Sequence, residues 1–163
     1  VQDLHQPPLP RLAVRLTWAG LLPFAGALAA WGVGGTIDDA RTTGLAAKAF
    51  LVYAAVILSF LGGIRWGRVM AGGASGAGYV LAVLPSLWAF PALFLPVPWA
   101  LSALAVGFAL ALWFDTRADT LPATPGFRQL RQRISAAVIA SHAGALSMWW
   151  AYGAGVAAGL VDA

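Results

Sequence analysis

Cysteine is absent from this 163-residue chain, which excludes disulfides, thiolate nucleophiles, iron-sulfur clusters and zinc-thiolate centres. Histidine occurs only as His5 and His142, so a metal site would have to be built from those two and the carboxylates. No metal and no cofactor is expected. Charge is scarce too: 10% of residues are Asp, Glu, Lys or Arg, against about 25% in soluble domains. Ser141, His142 and Ser147 have no buried acid to orient an imidazole, so a serine-hydrolase reading fails. Gly72 and Gly73 lack the strand and the lysine of a phosphate loop. The opening VQDLHQPPLPRL has no positive start, apolar core or small-residue cleavage site, and predicts a cytosolic tail over residues 1–11.

What the chain has is apolar length. Its composition is 60% hydrophobic and its mean hydropathy is +0.78, which places most of it in lipid. Five apolar runs predict transmembrane helices over residues 12–34, 45–67, 79–95, 99–114 and 134–160. The expected fold is a single membrane domain, an all-α bundle of five transmembrane helices. Pro23 predicts a kink in the first span, and Pro85 and Pro91 a bent or partly unwound third span whose freed carbonyls need neighbours. Trp31, Trp66, Trp99, Trp113, Trp149 and Trp150 fall near span ends, as an interfacial belt requires. Eight arginines (11, 15, 65, 68, 117, 128, 131 and 133) fall on one side of the five spans, and only Arg41 and Lys48 on the other. The positive-inside rule then puts the N-terminus in the cytoplasm and the C-terminus outside. Basic residues spread over span ends fit topology and anionic headgroups, not nucleic acid.

The organising stretch is YAAVILSFLGGIRWGR, residues 53–68. Ala55, Ser59, Gly63 and Gly67 recur every four residues and predict a face for close helix packing. Ser147, Ala151, Gly155 and Gly159 repeat that spacing in the fifth span, which makes it the expected partner of the second.

Two groups of residues are candidates for function. The first is a polar rim of Arg65, Arg68, Asp115 and Arg117, which Asp119, Arg128, Arg131 and Arg133 join on the same side of the spans; it reads either as topology and lipid contact or as a structured site in which Arg65 pairs with Asp115. The second is a cavity at membrane depth lined by Ser59, Trp88 and His142. His142 alone reads either as a neutral group bonding a facing helix or as a site for proton transfer or metal ligation.

YAAVILSFLGGIRWG resembles the transmembrane protein 69 family, a bacterial and mitochondrial membrane family catalogued as domain of unknown function 3429. LPSLWA at residues 84–89 and Asp115 extend the resemblance, which covers nearly the whole chain in helix count and order. It implies an inner-membrane protein and supplies no activity. The functional expectation is a non-enzymatic accessory or assembly factor of a bacterial inner-membrane complex, or alternatively a carrier or binding protein for a small solute, lipid or quinone.

Overall fold

The computed structural model describes residues 9–72, 76–117 and 125–161, without the side chains at 117, 125 and 154–161. Its helices are α1 (Arg11–Ala19), α2 (Leu22–Thr36), α3 (Ala40–Gly72), α4 (Gly76–Ala92), α5 (Val97–Arg117) and α6 (Pro125–Val161). Since α1 and α2 continue each other across a two-residue break, the fold is an all-α membrane bundle of five helices. Four are long and apolar enough to cross a membrane: Arg11–Thr36, Ala40–Gly72, Val97–Thr116 and Gly126–Gly153. The fifth, α4, is apolar and 17 residues long, reaching about 25 Å. The predicted tail at 1–8 and the loops around 73–75 and 118–124 lie outside the described residues.

α3 is the hub, packed against α2, α4, α5 and α6. Its buried stripe is Ala47, Phe50, Ala54, Leu58 and Gly62, close to the 3.6-residue period. α6 offers Ser135, Val138, His142 and Ala145, and α5 offers Leu101, Leu104, Phe108 and Ala111. The expected pairing of the second and fifth spans therefore exists, but through other residues than the predicted small stripes. A four-residue step turns a helix about 400°, so such a row drifts about 40° per step off any fixed face. Ala55 is buried and Ser59 half-buried, while Gly63 and Gly67 are exposed with open space where a side chain would be. Ser147 and Ala151 face outward for the same reason, and Gly155 and Gly159 lie where side chains are not described. Close backbone approach occurs one residue earlier, at Gly62, where any Cβ would overlap the Ala82 carbonyl oxygen of α4.

Proline explains two features. Pro23 cannot donate to the Ala19 carbonyl, and the chain breaks just upstream of it, at Gly20 and Leu21. The half-buried Gly20 accepts the Tyr53 hydroxyl on its carbonyl at 2.8 Å. In α4 both Pro85 and Pro91 are carried inside a continuous helix, so the expected unwinding does not occur. The Leu81 carbonyl, which Pro85 cannot serve, accepts instead from the Arg65 guanidinium at 3.2 Å. At Leu93, Phe94 and Leu95 the last turn tightens into three-residue bonds, and the Pro96 carbonyl starts α5 by accepting from Trp99 and Ala100 at 2.9 Å.

At the opposite end Asp39 caps α3. Its carboxylate accepts the backbone N–H of Arg41 and Thr42 at 3.1 and 3.2 Å and the Thr42 hydroxyl at 2.6 Å. The Thr42 hydroxyl and N–H hold this carboxyl below its ordinary range. Asp38 takes φ 57, a left-handed turn conformation that aspartate tolerates. Trp66, Trp99, Trp113 and Trp150 are exposed on the bundle surface and Trp149 is half-buried, but Trp31 is fully buried and belongs to the core rather than to a belt.

Candidate functional site: an arginine clamp beside an apolar cavity

The structure brings Arg65 and Asp115 together as an ion pair and adds a third member, Arg131. The Arg65 guanidinium donates to one Asp115 carboxylate oxygen. Arg131 donates to the other from Nε at 3.0 Å and from a terminal nitrogen at 2.8 Å, two charge-assisted bonds converging on one oxygen. All three side chains are only 12–13% exposed. Arg65 also reaches the Leu81 carbonyl and lies 6.0 Å from the centre of the Phe114 ring. One cluster thus fastens α3, α4, α5 and α6 at a single end of the bundle.

Each member sits on the buried stripe of its own helix. Arg65 follows Leu58 and Gly62, Asp115 follows Phe108 and Ala111, and Arg131 precedes Ser135 and Val138. Periodicity therefore points all three inward, which topology-only arginines would have no reason to do. That register was the available signal for Arg131, which sequence reading placed only near the rim.

Beside the clamp lies a cavity of about 320 Å³ between the α1–α2 break, α3, α5 and α6. Phe24, Ile57, Leu61, Phe108 and Val138 give it apolar walls, and Arg65, Arg68, Asp115 and Arg131 its charged margin. Ser135 lines it as well; its hydroxyl is buried, at 2% exposure, and has no hydrogen-bond partner among the described residues. An unpaired buried hydroxyl costs about 1–3 kcal/mol. Arg68, unlike its two neighbours, makes no ion pair or hydrogen bond among the described residues. Arg117 closes α5, with its side chain outside the description.

The anticipated trio of Ser59, Trp88 and His142 is not brought together. Trp88 on α4 lines a separate depression of about 230 Å³ with Leu84, Gly107 and Phe114, and its Nε1 donates to the Ala103 carbonyl at 2.7 Å. Ser59 is half-buried on α3. His142 is fully buried, its ring 5.0 Å from Phe50, 5.4 Å from Phe108 and 6.0 Å from Phe24. Neither the depression at Trp88 nor the cavity beside the clamp is lined by Ser59 or His142. Nδ1 of His142 donates to the Val138 carbonyl of its own helix at 2.8 Å, not to a facing helix.

The fold and this polar clamp define an uncharacterised kind of integral membrane protein. Residues 9–147 match the family described as protein of unknown function (DUF3429), and the chain belongs to that family. Neither the curated proteins nor the solved structures contain a match to it.

Proposed function

We propose that this is a non-enzymatic membrane protein that holds a small amphiphile, a lipid, quinone or similar solute, within its helix bundle. The carrying observation is the cavity beside the clamp: apolar walls meet arginines at one margin, the arrangement that an apolar body with a polar head requires. The arginine-rich end is assigned to the cytoplasm of a bacterial inner membrane, from the charge asymmetry and the family resemblance. Gentle extraction followed by native mass spectrometry is the test. Wild-type protein is expected to retain a bound small molecule of discrete mass, and Val138→Trp, which fills the cavity, to lose it. Identical spectra for the two proteins would defeat the reading.

A second reading, as an accessory or assembly factor of a membrane complex, is favoured by Gly63 and Gly67. They expose open backbone on the outside of α3, where a partner helix can approach. Co-migration with a larger complex in native electrophoresis, lost in Gly63→Leu, would support it; migration as a lone monomer would count against it.

A further inference from the structure

We propose that the occupant of this cavity is a single-chain lipid whose head is a phosphate monoester, an inference that rests on the cavity being a binding site. The argument is one of charge and of free donors. Among the described residues Arg65, Arg68 and Arg131 face the cavity against one carboxylate, Asp115, an excess of two positive charges at its margin. A phosphate monoester carries about −1.5 to −2 charges at pH 7, whereas a carboxylate or a phosphodiester carries one. The guanidinium fork matches phosphate geometry.

The free donors lie on two helices that border the cavity. Arg65 is committed to Asp115 and to the Leu81 carbonyl. Arg131 spends Nε and one terminal nitrogen on Asp115 and keeps its other terminal nitrogen. Arg68 keeps its whole guanidinium. The Ser135 hydroxyl, buried and unpartnered, lies one turn from Arg131 on the same face of α6 and lines the same space. Together Arg68, Arg131 and Ser135, free to this extent among the described residues, offer the several donors that three phosphate oxygens accept, while Phe24, Ile57 and Val138 receive the chain.

The test titrates the full-length protein in maltoside micelles by native mass spectrometry with three lysolipids of identical acyl chain: lysophosphatidic acid, lysophosphatidylglycerol and lysophosphatidylcholine. Lysophosphatidic acid is expected to bind at least about tenfold more tightly than the other two, as charge-assisted bonds to the extra phosphate charge require. Arg68→Gln and Ser135→Ala, both outside the ion-pair clamp, should each cut that preference severalfold, weakening lysophosphatidic acid more than lysophosphatidylcholine. Equal affinity for all three lipids, with binding still abolished by Val138→Trp, overturns the phosphate head and leaves the cavity as a site. Binding that survives Val138→Trp overturns the cavity reading itself. Inorganic phosphate displacing lysophosphatidic acid at equal concentration would show a free-anion site instead and also overturn the proposal.

Discussion

Removing Asp115 should damage this protein more than removing either arginine bound to it. The carboxylate neutralises Arg65 and Arg131 at once, and all three side chains are 12–13% exposed, so solvent screens them poorly. Opposite charges about 4 Å apart attract by about 4 kcal/mol at an effective dielectric constant near 20. Stripping one partner from a buried pair costs about 3–5 kcal/mol, because the other charge stays behind uncompensated. Asp115→Ala should therefore cost about 4 kcal/mol. Arg131→Ala leaves Asp115 with Arg65 and should cost roughly 1–2 kcal/mol. Arg65→Ala leaves the doubly bonded Arg131–Asp115 pair but opens the Leu81 carbonyl under Pro85, and should cost roughly 2–3 kcal/mol. The exchange Arg65→Asp with Asp115→Arg is the sharpest case. In an isolated pair it would restore stability; here it sets the new guanidinium at position 115 against Arg131, so no recovery is expected. Thermal midpoints of the four variants in one detergent give the ordering. A charge exchange that regains wild-type stability, or an Asp115→Ala no worse than Arg131→Ala, refutes the three-membered clamp.

Gly62→Ala should cost about 1–3 kcal/mol through its clash with the Ala82 carbonyl, while Gly63→Ala, one residue on, should change stability by about 0.5 kcal/mol or less; equal effects in a denaturation series would remove the assigned α3–α4 contact. Tyr53→Phe leaves the Gly20 carbonyl without its partner and should cost about 1–3 kcal/mol, seen as faster amide exchange at the α1–α2 break; unchanged exchange there would contradict it. Asp39 has a folded-state pKa below its unfolded value, so its contribution is fully present above the unfolded pKa of about 3.9 and is lost as pH falls through the folded pKa. The stability gap between wild type and Asp39→Ala should therefore close on acidification below about pH 4, and a gap constant down to pH 2 would be inconsistent with the cap. The absence of cysteine makes topology mapping direct. A cysteine placed at Gly126 should react with an impermeant maleimide only from the cytoplasmic side and one at Ile37 only from outside, and the reverse pattern would invert the proposed orientation.

Helix number and order were legible because apolar runs of this length admit few other structures in lipid. The Arg65–Asp115 pair was legible because both residues lie where apolar runs descending to the same side give way to polar sequence. The bond from Arg131 to Asp115 was missed because its register with Ser135 and Val138 shows only if α6 is extended upstream of its apolar run. The small-residue stripe misled because four-residue spacing was read as a straight row; Ala55 is buried, yet Gly63, eight residues on, has turned into the open. His142 is fully buried, but its three aromatic neighbours come from three different helices, and no local pattern announces them. The cavity was illegible for a similar reason. It depends on the break at Gly20 and Leu21 and on α6 beginning nine residues earlier than its apolar run, so that Phe127, Leu130 and Arg131 form part of the wall.

The cavity's occupancy is best measured in a lipid nanodisc. Solution NMR of the methyl-labelled protein should show intermolecular contacts from lipid-chain methylenes to Ile57, Leu61 and Val138 inside the cavity. Val138→Trp should abolish them at Ile57 and Leu61, while the lipid contacts of the outward-facing Val52 and Val56 persist. Lipid contacts confined to outward-facing methyls, with only water reaching Ile57 and Leu61, would contradict an amphiphile-binding bundle.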